Sequence, residues 1–146
     1  MLKLEEIFNA LNDANIKYLL IGGMASILYG VPRTTLDFDI AISSSKENVA
    51  KTIETMKNLG LSCDTENIED ILAQGGITFS KDMEVDVITD MPGKNDFMVL
   101  WERRESVIYE GIMINVISKD DQIRILREVG RKQDIEDANI LSRDGL

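Results

Sequence analysis

A hydrophobic run that ends in two glycines constrains this chain most. Ile16 to Ile21 leads into Gly22-Gly23, and a second run, Leu36 to Ile42, carries Asp37-Phe38-Asp39 near its start. Short apolar runs bounded by turn residues predict buried strands. Alternate side chains on a strand share a face, so Asp37 and Asp39 project together while Phe38 and Ile40 face the core. Like charges side by side on a sheet destabilise it, and a bound divalent cation would remove that penalty. The glycines let a backbone turn approach a ligand closely, because no Cβ stands in the way. The expectation is half of a metal site beside a phosphate-binding turn, with Asp37 and Asp39 as ligands.

Composition limits the rest. Hydrophobic residues make up 44% of the 146 and charged ones 29%, enough apolar material for one domain spanning 1–146 with its own core. No apolar run approaches the roughly 20 residues of a membrane span. Met1 to Phe8 reads as an acidic amphipathic helix and not as a basic signal peptide, which predicts a cytoplasmic protein. Cys63 is the one cysteine and histidine is absent. An internal disulfide and a cysteine-based zinc cluster are therefore excluded, and any metal must take oxygen ligands, as Mg2+ or Mn2+ does. A formal net charge of -10 opposes a broad nucleic-acid surface. Arg124, Arg127, Arg131 and Lys132 form a basic island, with Arg103 and Arg104 as a second; each is either a local anion groove or a solvated helix face.

Along the chain, Leu4, Ile7, Phe8 and Leu11 recur at helical spacing and predict a helix from Leu4 to Ala14, ended by Asn15. Met24 to Tyr29 reads as a short helix after the glycine turn, with free N–H groups at its start, stopped by Gly30 and Pro32. Ser43-Ser44-Ser45 caps a helix to about Leu59, with Gly60 as its stop. Residues 61–64 read as a short strand and Ile68 to Gln74 as a short helix. Ile77 to Ser80 and Met83 to Thr89 flank Lys81-Asp82 as a hairpin. In its second strand Glu84, Asp86 and Ile88 share a face. Asp86 is the candidate third carboxylate and Glu84 its alternative, while a solvent-facing acid on an edge strand is the plain reading. Residues 106–110 and 112–117 form another hairpin turning at Glu110-Gly111, with Trp101 before it as a core or interface anchor. Ser118 caps a helix to Val129 that Gly130 ends, and Asp134 caps a last helix through Leu141. This alternation predicts an α/β (α+β) arrangement, a mixed sheet with helices packed against it.

Gly22-Gly23, a spacer and Asp37-x-Asp39 between hydrophobics together resemble the signature of the nucleotidyltransferase superfamily typified by DNA polymerase beta. With Gly30, Arg33 and Thr35 ahead of the aspartates, the string is similar to a compact branch that includes abortive-infection (AbiEii-like) toxins and minimal nucleotidyltransferases. A later stretch, Gly130-Arg131-Lys132-Gln133-Asp134-Ile135-Glu136-Asp137, resembles a motif near that branch's C-terminus, so the likeness covers nearly the whole chain. The branch often carries Gly-Arg-x-Lys-Asp there. Here Gln133 precedes the aspartate and Lys132 is displaced by one residue, about 100° around a helix.

The resemblance implies a Mg2+- or Mn2+-dependent transfer of a nucleotide from an NTP to an acceptor hydroxyl. The acceptor would be a tRNA, a protein or a small molecule, and the chain a toxin–antitoxin component, with a homodimer or partner protein supplying acceptor contacts. By the same resemblance Asp37 and Asp39 hold the metal at the triphosphate, and Asp86 completes a second site and helps take the acceptor's proton. Gly22, Gly23, Ser26, Arg33, Thr35 and Lys132 contact the nucleotide, with Arg131 as a substitute for Lys132. Ser26 has a second reading as a hydroxyl bonded to its own helix backbone, and Arg33 as a salt bridge to the aspartates. The alternatives for the whole chain are a non-catalytic relative that binds a nucleotide or a protein partner, and an acidic structural domain.

Overall fold

Residues 1–143 are described by the computed structural model, and the last three residues of the expected 1–146 span lie outside them. In chain order the elements are α1 (Leu4–Asp13), β1 (Tyr18–Ile21), α2 (Gly22–Leu28), β2 (Asp39–Ile42), α3 (Lys46–Asn58), α4 (Ile68–Gln74), β3 (Gly76–Ser80) and β4 (Glu84–Ile88). They continue with α5 (Phe97–Glu102), β5 (Glu105–Tyr109), β6 (Ile112–Val116), α6 (Lys119–Val129) and α7 (Lys132–Arg143). The strands form one mixed sheet in the order β3-β4-β2-β1-β6-β5, an α/β fold of the kind the alternation predicts.

β1 sits inside this sheet with all four residues buried, which is why its sequence is an unbroken apolar run. It pairs antiparallel with β2, setting Ile21 opposite Asp39. The glycines that follow β1 therefore meet the acid that starts β2. β4 runs parallel to β2 with Asp86 opposite Asp39. Neither acid is on an edge strand, since β3 covers the far side of β4.

Aromatic packing fixes the direction of the acids. Phe38 is buried and meets the Phe8 ring edge-on at 5.3 Å between centroids, and Phe8 lies 6.1 Å from Tyr18. Burying a side chain of this size stabilises by roughly 1.5–3 kcal/mol, so Phe38 holds its place and the flanking acids face outward. α1 supplies Phe8 together with buried Ile7 and Leu11, at the expected helical spacing. Side-chain caps define α3, α4, α5 and α6, from Ser45, Asn67, Asp96 and Ser118 respectively. Glu110 and Gly111, at φ 51° and 79°, turn the β5–β6 hairpin between Tyr109 and Ile112.

Several boundaries differ from expectation. β2 begins at Asp39, so Asp37 stands on the approach loop and not on the strand. The expected strand at 61–64 is a single bridge between Ser62 and Ser80. α5 was not expected: Asp96 caps it, and its Phe97 and Trp101 rings stack at 6.0 Å. α7 starts at Lys132, because the Asp134 carboxylate accepts the Arg131 backbone N–H from within the first turn and not from before it. No helix among the described residues is long and apolar enough to cross a membrane.

Candidate functional site

The glycine turn is built to be approached. Gly22 has φ +70°, and a Cβ there would lie 2.7 Å from Asp39 Oδ2. A Cβ on Gly23 would meet Arg33 Nη2 at 3.1 Å and Thr35 Oγ1 at 3.3 Å. Bare backbone at both positions lets Asp39 and the loop of residues 31–38 close against the turn. Thr35 Oγ1 accepts the Asp37 N–H at 3.1 Å, fixing the loop so that exposed Asp37 reaches the same cleft.

Asp39 and Asp86 face each other across β2 and β4 within hydrogen-bonding reach. Thr78 Oγ1, on β3, donates to Asp86 Oδ1 at 2.6 Å, and the Asp86 N–H bonds to Phe38 O at 2.9 Å. Burial pushes the Asp39 carboxyl up to about 6, helped by the charges of Asp86 and Asp37 and only partly opposed by Arg131. Two half-buried carboxylates with no cation bonded to either among the described residues form an electrostatically unbalanced pair. No three or more His, Cys, Asp or Glu side chains converge as a ready-made metal cluster among the described residues. The Asp39–Asp86 pair nevertheless fits a hard divalent cation that takes its remaining oxygens from water or a ligand, with Asp37 beside them on the cleft wall.

The opposite wall comes from α6, α7 and the loop after β4. It completes a cleft of about 550 Å³ with apolar Met91, Pro92, Ile125, Leu126 and Val129 and with polar Gln122, Arg131, Gln133, Asp134 and Asp137. Arg33 grips Asp137 of α7 bidentately, Nη2 to Oδ2 at 2.7 Å and Nε to Oδ1 at 3.1 Å. Its partner is thus a helix acid distant in sequence, and not the Asp37–Asp39 pair that the second reading gave it. Gln133 adds a 2.8 Å bond to the same carboxylate. Arg131 is held by Asp134, Nε to Oδ2 at 2.8 Å, and lies near enough to Asp39 and Asp37 for both to raise its pKa further.

Gly22, Gly23, Arg33, Thr35, Asp37, Asp39 and Asp86 therefore share one cleft. Two expected residues lie elsewhere. Ser26 is fully buried, and its Oγ accepts from Gln122 Nε2 at 3.0 Å, a partner from α6 and not its own helix. Lys132 is exposed and outside the lining, because one residue of helix turns it away and leaves Arg131 and Gln133 facing the cleft. Glu84, the alternative to Asp86, is exposed and also outside the cleft lining.

The arginines of the basic islands are exposed or half-exposed but largely bonded within the chain. Arg103 and Arg124 both bond Asp121, Arg124 also bonds Glu128, Arg127 bonds Ser142, and the Arg104 guanidinium lies 3.8 Å over the Trp101 ring. Burial works to raise the Asp121 carboxyl, but the bonds from Arg103, Arg124 and Ser118 outweigh it and hold the carboxyl below its ordinary value. A free anion groove on these arginines is not what the side chains form.

Sequence reasoning missed Gln122, which ties α6 to the turn through Gly22 O (2.9 Å) and Ser26, and it missed Asp137 as the anchor of Arg33. Neither carries a local signal, since each is defined by a partner some hundred positions away.

No model of a known protein family matches the sequence, and no curated protein matches it. Solved structures do. A Thermotoga maritima protein assigned to the nucleotidyltransferases superposes with a TM-score of 0.68 at 18% identity, over 96% of this chain and 88% of that one. Lincosamide antibiotic adenylyltransferase LnuA, with lincomycin bound, gives 0.66 at 19% identity over 97% of each chain. Antibiotic-resistance factor ANT(2″)-Ia gives 0.62 at 16% identity, over 94% of this chain and 80% of that one. This chain has the fold of the nucleotidyltransferase superfamily.

Proposed function

We propose that this protein is a divalent-metal-dependent nucleotidyltransferase that moves a nucleotide from an NTP to an acceptor hydroxyl. The observation that carries the reading is the unbalanced Asp39–Asp86 pair, set against a glycine turn in a cleft that also holds Asp37, Arg33 and Arg131. The acceptor oxygen forms a bond to the α-phosphorus, the bond from that phosphorus to the departing oxygen breaks, and pyrophosphate leaves. The acceptor's proton passes to a carboxylate, and Asp86 is our candidate for it. Mg2+ or Mn2+ held by Asp39 and Asp86, with Asp37 beside them on the cleft wall, would neutralise charge on the phosphate oxygens. Arg131, whose side chain is 79% exposed, has the freedom to swing onto the triphosphate, whereas Arg33 is tethered to Asp137, which balances its charge. The apolar residues of the opposite wall suit a nucleobase or sugar.

Among the acceptors, a small molecule is favoured over tRNA by the net charge of -10 and by the internal pairing of the arginines. The neighbours point the same way: one is an adenylyltransferase with lincomycin bound, and another is in complex with adenylyl-2″-tobramycin. A place in a toxin–antitoxin pair, with a partner or second copy completing the site, rests on the sequence resemblance alone. The second reading is a nucleotide-binding relative without turnover. What favours it is Gln133 standing where the resemblance expects lysine and bonded to Asp137.

The test is incubation with Mg2+, ATP labelled at the α-phosphate, and tRNA, tobramycin or lincomycin as acceptor. Transfer of label with equimolar pyrophosphate is the expected result. Transfer of a γ-label with ADP formation would overturn the reading, and ATP binding without transfer to any acceptor would support the second one.

A further inference from the structure

We infer that β5 pairs antiparallel with β5 of a second copy of this chain, around a two-fold axis, so that one sheet runs through both copies. β5 lines no part of the cleft, so this surface stands apart from the nucleotidyltransferase reading. The two edges of the sheet differ. At the β3 edge, Ser62 N–H donates to Ser80 O at 2.9 Å and Ser80 N–H to Ser62 O at 2.8 Å, and Gly76 carries φ +157°. β5, last in the strand order, has no strand or bridge on its outer side among the described residues. Edges that stay single are commonly guarded by Lys, Pro or a bulge. β5 has none of these: Glu105–Tyr109 pairs with β6 residue for residue, and its one charge, Glu105, is engaged by Tyr29 Oη and the Lys119 N–H.

The hairpin turn decides which backbone groups face the open edge. Tyr109 and Ile112 close a two-residue turn, so Tyr109, Val107 and Glu105 bond to β6, while Ser106 and Ile108 turn their N–H and C=O outward. The Asn115 N–H, opposite Ser106, accordingly points away from β5 and donates to Tyr18 Oη at 3.2 Å. A second copy bonds to such an edge by setting outward residues against outward residues. With Val107 on the axis, Ser106 exchanges both backbone bonds with Ile108 of the second copy, and Ile108 does the same with its Ser106. Arg104 then stands opposite Glu110 of the second copy. Moving the axis to Ser106 or to Ile108 keeps the bonding pattern but parts that pair of opposite charges.

Side chains favour the same register. Arg104 stacks over Trp101 and donates Nη1 to Trp101 O at 2.9 Å, which leaves its Nη2 for the Glu110 carboxylate of the second copy. Half-buried Val107 meets its own counterpart across the axis and extends the row that begins with buried Ile114. On the opposite face Ile108 and Met113 form an exposed cross-strand pair, 65% and 53% accessible. In the paired sheet the two Ile108 side chains become diagonal neighbours there, so apolar surface that the single chain leaves in water is covered. One strand pair buries less than the roughly 1,200 Å² of a standard interface, so the dimer exchanges with monomer in the micromolar range.

The test is sedimentation velocity of the full chain from micromolar to near-millimolar concentration, where a reversible monomer–dimer exchange is expected. Ser106→Pro removes an outward N–H that β6 does not use, and should weaken the dimer at least tenfold while the dilute monomer keeps its melting temperature. Arg104→Glu and Glu110→Arg should each be monomeric alone, because each sets like charges against each other, and should form a heterodimer when mixed. A chain that stays monomeric at the highest concentration would overturn the inference. So would a dimer that tolerates Ser106→Pro and both charge reversals, since it would use another face. If Ser106→Pro fails to fold, the mixed pair still decides: folded Arg104→Glu and Glu110→Arg proteins that remain apart on mixing would overturn the proposed register and the inference with it.

Discussion

Two sets of carboxylates in this molecule have opposite surroundings. Asp121, Asp134 and Asp137, on α6 and α7, are each bonded to an arginine: Asp121 to Arg103 and Arg124, Asp134 to Arg131, Asp137 to Arg33. Asp39 and Asp86, on neighbouring strands, face each other with no cation bonded to either among the described residues. The first set is charge-balanced within the chain and ties helices and loops together. The second is left unbalanced where a glycine turn gives access. Acids that the chain neutralises itself tie its elements together, and acids it leaves for something else to neutralise mark the candidate site.

Substitutions should separate the two sets sharply. Asp39→Asn should lower transfer by at least about 100-fold and abolish the Mg2+-ATP melting shift, with the metal-free protein no less stable than wild type in urea. Retained activity in that variant would break the comparison at its strongest point. Asp121→Ala leaves half-exposed Arg103 and Arg124 without their shared acid, and urea unfolding should show a loss of about 1–2 kcal/mol that Mg2+ does not restore. The Arg33–Asp137 bond should give a coupling of about 1–2 kcal/mol in a double-mutant cycle with Arg33→Met and Asp137→Asn. A coupling near zero would mean that this pair does not fasten α7 to the loop.

The smallest effect concerns pH in metal-free protein. The folded Asp39 pKa of about 6 lies above its ordinary 3.8, so between these values the native state binds more protons than the unfolded one. Stability therefore falls as pH rises through that window, the penalty is complete above about pH 6, and it vanishes below 3.8. Solvent screening of this half-exposed group reduces the penalty to roughly 1 kcal/mol. The stability difference between Asp39→Asn and wild type should grow in favour of the variant from pH 4 to 6.5 and then level off. A flat difference would show that Asp39 is neither desolvated by burial nor crowded by Asp86.

The acid pair was legible because its signals are local. An apolar run into Gly22-Gly23, and Phe38 between two aspartates, state in a few residues which atoms point inward. Apart from the strand expected at 61–64, the order of elements from α1 to β4 was legible for the same reason, and so was the α/β class. Asp86 required one further step, alternation along a strand, and the register with Asp39 agrees with it. What the sequence did not disclose depends on long-range partners. Arg33 has the same local surroundings whether it bonds Asp39 or Asp137, and only packing of α7 decides. Arg103 and Arg124 read as a basic surface because Asp121, which draws both in, is just another acid in a cap. Lys132 was expected to reach the nucleotide, and the helix phase set by Asp134 turned it outward.

Calorimetric titration of ATP with Mg2+ present, and again in EDTA, tests the central claim most directly when run on wild type, Asp39→Asn and Asp121→Asn. The account predicts metal-dependent binding in wild type, its loss in Asp39→Asn, and its survival in the folded fraction of Asp121→Asn. Equal binding in EDTA, or wild-type affinity in Asp39→Asn, would contradict it.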